Sequence, residues 1–155
     1  MENQGNTVAA TRGAAAVNSV LQSREERRFA RQTRRDLQIG GTPRTNLLLL
    51  GTSDGIGIVL EMLRLEHREP ILMWHPGQPL ELPSPGSSAT LVLHDVSELT
   101  VSDQDRVLRW LDHAARQVRV VSTTAEPLWP RVETGTFNDM LYYRLNTVCV
   151  DLRTQ

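Results

Sequence analysis

The chain has 155 residues, 39% of them apolar and 23% charged, with a net charge of −1; that is enough for one domain around a single hydrophobic core. One cysteine, Cys149, excludes an internal disulfide and fits a reducing compartment. All 17 basic residues are arginine, which excludes any chemistry that needs a lysine amine, from a phosphate-binding lysine to a Schiff base. No apolar run is long enough to span a membrane, and Met1-Glu2-Asn3-Gln4 lacks the basic-then-apolar order of a signal peptide. The expected location is the cytoplasm.

Charge divides the chain near residue 44. Residues 1–44 hold eight arginines against four acidic groups, net +4, and residues 45–155 hold nine against fourteen, net −5. The expected organisation is a basic N-terminal arm, 1–44, followed by a compact domain, 45–155. Within the arm, Arg24, Arg27, Arg28, Arg31, Arg34 and Arg35 fall within an arc of about 120° on one helical face. Like charges at spacings of three and four disfavour an isolated helix. The stripe is therefore either a solvated or partly disordered helix, a helix docked on the net-negative domain of its own or a neighbouring chain, or a site for an anionic partner, nucleic acid or acidic protein. No matching apolar face accompanies it, so a membrane is not the expected partner.

In the domain, apolar runs predict strands at Asn46–Leu50, Ile71–Trp74, Thr90–His94, Arg119–Ser122 and Thr147–Val150. Helical patterns fall at Gly57–His67, Ser102–Ala115 and about Asn138–Leu145. In the second of these, Val107, Leu108, Leu111 and Ala115 share a face, and Asp103 and Asp105 lie near the positive N-terminal end. Between Pro76 and Ser88, four prolines and five glycines and serines mark an irregular loop. Strand–helix alternation of this kind predicts an α/β three-layer sandwich with a mainly parallel sheet.

The turn Gly51-Thr52-Ser53-Asp54-Gly55-Ile56-Gly57 follows the first strand and admits three readings. Gly51, Gly55 and Gly57 fit a dinucleotide-binding turn, in which pyrophosphate approaches backbone N–H groups at a helix N-terminus. Against this, Trp74-His75-Pro76 stands where an acidic ribose ligand belongs, and Tyr142 has no lysine partner. Gly51-x-Ser53-x-Gly55 fits a nucleophile elbow, with Asp95 and His113 following in order. No earlier strand supplies an oxyanion loop, and a serine in a tight turn is the simpler account. The third reading is a phosphate loop.

Three downstream blocks favour the third reading: "ATLVLHDVSEL" (Ala89–Leu99), "RVVSTTAEPL" (Arg119–Leu128) and "VETGTFNDMLYYRLNTVCVDL" (Val132–Leu152). With the glycine turn they resemble, in order, the AAA+ ATPase domain of bacterial enhancer-binding proteins, the sigma-54 activators. That family typically reads G-E-S-G-T-G-K-E, G-T-L-F-L-D-E-I-G-E-L, R-V-I-A-A-T-N and G-x-F-R-x-D-L-Y-Y-R-L-N. The resemblance covers about residues 46–153 and implies a P-loop NTPase fold. It also implies ATP hydrolysis at a subunit interface, using a lysine, Mg²⁺ held by an acidic pair, and an arginine from the next subunit.

Position by position, the resemblance implies losses. The family's lysine falls on Gly57, or on Ile58 with one insertion; its Asp-Glu pair becomes His94-Asp95. The sensor asparagine falls on Ala125, the first finger arginine on Asn138, and the asparagine that contacts the catalytic glutamate on His75. Asp95 and Arg144 remain as residual catalytic candidates, and Gly51, Thr52, Ser53, Asp54, Gly55 and Gly57 as a degenerate phosphate loop. The GAFTGA loop that grips sigma-54 is replaced by "HPGQPLELPSPGSSA". The sequence ends at Gln155, so the expected domain has no helical lid.

The expectation is a non-hydrolysing regulatory or interaction module in transcription regulation that requires no cofactor and binds ATP or ADP weakly if at all. The expected partner is a second copy or an intact AAA+ protein, with an anionic partner at the arginine stripe as a further candidate. The enzyme alternatives are a residual ATPase and a dinucleotide-binding protein. No metal site is expected, since His67, His75, His94 and His113 lack ligand spacing. Trp74, Trp110 and Trp129 are read as core or loop packing, and Cys149 as a buried thiol in a central strand. Tyr142, Tyr143 and Leu145 are read as packing the last helix on the sheet.

Overall fold

The structure is a computed structural model and describes residues 28, 31–33, 35, 45–64, 69–114 and 117–153. Five strands form one sheet: β1 Leu47–Leu50, β2 Ile71–Trp74, β3 Ala89–Leu93, β4 Val118–Thr124 and β5 Val148–Asp151. Among the described residues of the domain, four α-helices accompany them: α1 Ser53–Leu63, α2 Val101–Ala114, α3 Trp129–Glu133 and α4 Asp139–Leu145. The strand order is β2-β3-β4-β1-β5 and every pairing is parallel. This order places β1 between β4 and β5, whereas the dinucleotide fold places its first strand between the second and fourth. The dinucleotide reading of Gly51, Gly55 and Gly57 therefore lacks its sheet.

Alternation along each strand feeds two cores. Leu47 and Leu49 of β1, Val92 of β3 and Val121 of β4 face α1, where Ile56, Val59 and Leu63 form one apolar stripe. Leu48, then Ala89, Leu91 and Leu93, then Val118 and Val120 face the opposite layer. That layer is made by Val107, Trp110 and Leu111 of α2, Leu141 and Leu145 of α4, and Leu80 of the β2–β3 connection. Helices on both faces of a parallel sheet complete the expected three layers.

The second layer is tied by one buried amide. Gln104 of α2 donates to the Leu99 carbonyl at 3.0 Å and the Thr136 carbonyl at 3.2 Å, and its Oε1 accepts from the Asn138 N–H at 2.8 Å. Asn138 in turn caps α4, accepting from the Leu141 N–H at 2.9 Å. Asn46, just ahead of β1, accepts from the Val120 N–H and donates to the Arg144 carbonyl. It thereby joins β1, β4 and the end of α4.

Several expectations change. Helix α1 starts at Ser53 rather than Gly57 because Thr52 caps it: its Oγ1 accepts from the Gly55 N–H at 3.3 Å. Residues 65–68, with His67, lie outside the described residues. Helix α3 is additional, with Pro130 in its first turn and Gly135 beyond its end at φ +75°. Strand β4 runs further on both ends, where Val118, Thr123 and Thr124 are all buried. Cys149 is exposed rather than buried, since β5 is an edge strand paired only to β1. Its thiol is pushed up by partial burial and by Asp151. Tyr143 is exposed, while Tyr142 is partly buried and Leu145 is fully buried.

Of the arginine stripe, Arg24, Arg27 and Arg34 lie outside the described residues. Arg28, Arg31 and Arg35 are helical and exposed, and Thr33 is fully buried. No helix among the described residues is long and apolar enough to cross a membrane.

Candidate functional site

The carboxyl ends of β1, β3 and β4 open into a cleft of about 340 Å³, where open α/β sheets place their ligands. Gly51, Ser53, Ile56 and Gly57 form one wall, and His94 and Asp95, directly after β3, another; Thr123, Thr124 and Ala125 close it. The sheet order brings these together, since β4 lies between β1 and β3.

The β1–α1 wall has become a short connection rather than a loop. Only Gly51 and Thr52 separate strand from helix. The Gly55 N–H is satisfied by Thr52 Oγ1, and the Ile56 N–H by the Thr52 carbonyl at 2.9 Å. The Gly55 and Ile56 N–H groups are therefore spent on starting the helix rather than on an anion. Gly51 is needed for packing: a Cβ there would lie 2.8 Å from Leu152 Cβ. Gly57 has open space around the same point and is exposed. Gly57→Ala should accordingly stabilise the protein by roughly 1 kcal/mol through helix propensity, read as a raised urea midpoint.

The β3 wall carries one carboxylate and one imidazole. Asp95 turns the chain out of the sheet at φ 50°, a left-handed conformation that aspartate tolerates better than most residues. Its N–H donates to Thr123 Oγ1 at 3.0 Å, and its Oδ1 accepts from Ser97 Oγ at 2.8 Å. His94 stacks on His75 with centroids 4.2 Å apart and planes 7° from parallel. The stack follows from register: Trp74 pairs with Leu93, so the next residue of each strand stands side by side. Neither sequence pattern nor spacing reveals this without knowing that β2 and β3 are neighbours.

Burial, and secondarily His75, pushes His94 below its ordinary value of 6.5. The unfolded chain therefore takes up this proton first as pH falls. Stability is fully present above about pH 6.5 and declines below it. A part of that decline should vanish in His94→Asn, measured by urea unfolding on either side of that pH.

Arg144 is engaged within its own chain. Its Nη1 pairs with Asp112 Oδ1 on α2, and its Nη2 donates to the Leu111 carbonyl at 2.9 Å. His113 is exposed in the last turn of α2, its Nδ1 2.7 Å from the Arg109 carbonyl. It does not line the cleft with Ser53 and Asp95, so the hydrolase constellation is not assembled. Among the described residues no group of three or more His, Cys, Asp or Glu is placed to hold a metal ion.

The sequence matches the Sigma-54 interaction domain family over residues 69–154, more than half of the chain. The chain belongs to that family. The matched stretch of this sigma-54 interaction domain starts after the 51–57 turn, at Glu69. Among solved structures, it is similar to NtrX from Brucella abortus in complex with ATP, at 19% identity and a TM-score of 0.63, covering 84% of this chain and 36% of that one. It is also similar to the P-loop NTPase domain of a sigma-54 activator from E. coli, at 18% identity and a TM-score of 0.57, covering 80% of this chain and 93% of that one. A Drosophila ORC structure with DNA and Cdc6 matches at 12% identity and a TM-score of 0.56, covering 99% of this chain and 62% of that one. At these identities the likeness is one of fold. This sigma-54 interaction domain spans 36 to 42% of the length of the NtrX chains it resembles. No match is found among curated proteins.

The fold implies Mg²⁺-ATP, and the residues at the cleft do not fit it. Among the described residues no lysine or arginine lines the cleft, and the one acidic group there is Asp95. A triphosphate would meet a carboxylate and a capped helix start instead of a charged clamp.

Proposed function

We propose that this sigma-54 interaction domain is a non-hydrolysing regulatory or interaction module in transcription regulation, which works by association rather than by ATP turnover. The observation that carries this reading is a cleft with no cation among the described residues, beside a helix separated from β1 by only two residues. Phosphoryl transfer depends almost entirely on positioning and charge stabilisation, and removing one such donor commonly costs about 100-fold or more in rate. Here the lysine position falls on Gly57 or Ile58, both inside the helix, and Arg144 is paired with Asp112.

A second feature supports the same reading. The β2–β3 connection, where the family's sigma-54-gripping loop should lie, is fastened down. Trp74 Nε1 donates to the Gln78 carbonyl at 2.9 Å, Trp110 Nε1 to the Pro83 carbonyl at 2.8 Å, and Arg106 Nη2 to the Leu80 carbonyl at 3.2 Å. Leu80 and Pro83 are buried, so this segment serves the core. Association with itself or with an intact AAA+ protein is the mode of action that the reading requires.

Calorimetry with ATP and ADP, with and without Mg²⁺, tests it. The expected result is no binding below about 1 mM and no hydrolysis above buffer, unchanged in Asp95→Ala and Arg144→Ala. Mg²⁺-dependent micromolar binding, or turnover lost in those two variants, would replace this reading with that of a residual ATPase.

A further inference from the structure

The face made by α3 and α4 exposes rings and unpaired carboxylates together. Trp129 is 42% exposed, Tyr143 62% and Met140 63%. The rings form one cluster, with Trp129 6.4 Å from Tyr143 and Tyr142 within 5.6 Å of Trp129 and 5.3 Å of Tyr143. Glu133 lies one helical turn after Trp129, and Asp139 one turn before Tyr143, both exposed, so each carboxylate shares a face with a ring. Neither takes part in an ion pair among the described residues. The neighbouring arginines are otherwise engaged, Arg144 with Asp112 and Arg131 with the Ser97 carbonyl.

The same chain carries the complementary chemistry. Arg28, Arg31 and Arg35 are helical and exposed, at spacings of three and four that put them on one side. Thr33, on the other side of that helix, is fully buried. None of the three arginines is ion-paired among the described residues. They span about 10 Å of helix.

We propose that the α3–α4 face docks the arginine helix of a second copy of this chain. A guanidinium stacks flat on Trp129 or Tyr143 while its N–H fork reaches Glu133 or Asp139. The split of charge, +4 in residues 1–44 and −5 in residues 45–155, favours contact between the arm of one copy and the domain of another. Arm-to-face contact is heterologous, so each copy offers one arm and one face. A nucleic acid would satisfy the arginines but would be repelled by Glu133 and Asp139, leaving the ring cluster uncovered. The proposal rests on the association named above and says how two copies make it, but does not depend on what the cleft holds.

Sedimentation velocity on the full chain tests it, up to roughly 200 µM and at low and high salt. The wild type should self-associate, at least about tenfold more weakly in high salt. The face-reversed variant (Glu133→Arg with Asp139→Arg) and the arm-reversed variant (Arg28→Glu, Arg31→Glu and Arg35→Glu) should each associate at least about tenfold more weakly than wild type. Mixed together, they should form a one-to-one dimer, because the intact arm of the first meets the intact face of the second. That rescue also shows that both variants are folded.

A monomeric wild type, variants that assemble as the wild type does, or a mixture that stays monomeric would each overturn the proposal. So would an arm that binds a DNA duplex while the protein shows no self-association. Nucleotide binding in the cleft would alter the proposed function and leave these outcomes unchanged.

Discussion

Trp110→Ala should lower the unfolding free energy by about 4 kcal/mol, the largest effect expected of a single side chain here. Trp110 lies in the core between α2, β3 and the β2–β3 connection, and its Nε1 holds the Pro83 carbonyl. Truncation removes the indole, opens a cavity under that connection and leaves the carbonyl without its donor. Trp110→Phe separates the two contributions: it keeps most of the ring volume and should cost about 1 kcal/mol for the hydrogen bond. Urea unfolding gives both values, with an unchanged slope if the denatured state is unaffected. Proteolysis between Pro79 and Gly86 should quicken in both variants, since that bond fastens the segment to α2. An alanine variant within about 1 kcal/mol of wild type would mean that the connection packs on something other than Trp110.

Gln104→Leu should cost about 3 kcal/mol. The substitution conserves volume but strands the Leu99 carbonyl, the Thr136 carbonyl and the Asn138 N–H, three groups that one buried amide now satisfies. Asn138 is also the cap of α4, so loss of this tie should loosen the helix that carries Tyr142, Tyr143 and Arg144. Amide hydrogen exchange in α4 should therefore rise more than in β1 or β4. Uniform exchange across the domain would show that α4 is held by its apolar face alone, through Leu141 and Leu145.

Both effects involve residues that pattern reading passes over. Trp110 is legible as apolar, but its partner carbonyl lies 27 residues away in an irregular loop. Gln104 reads as a polar residue in the first turns of a helix and is 3% exposed. Burial of a polar side chain is set by what the rest of the chain brings to it. Asn46 is a similar case: it reads as the first residue of a strand and serves as a clamp between β4 and α4.

Strands β1 and β2 are legible because four consecutive apolar residues leave few other structures for a short buried backbone segment. Strands β3 to β5 are legible because short β-branched and apolar runs stand between turn and helix patterns. The glycines point to a loop and so set the expected helix start at Gly57 rather than at Ser53. Thr52, an ordinary N-cap residue with Asp54 in the first turn, was the better signal. Cys149 was misplaced because a short apolar strand looks the same at the centre and at the edge of a sheet, and only strand order distinguishes them.

By itself the amino-acid sequence determined the α/β class, the three-layer arrangement, the family and the absence of any lysine. These are properties of local pattern and composition, which do not depend on which elements touch. Tertiary structure alone decided that β1 lies between β4 and β5, and that His75 stacks on His94. It alone decided that Arg144 is paired with Asp112, and that Trp129 and Tyr143 share an exposed face. The three side-chain pairings join residues from 14 to 32 positions apart, and the strand pairings of β1 join residues 74 and 101 apart. Pairings at such separations are selected by the packing of whole layers, so the site and its candidate partners become visible only once the sheet is assembled.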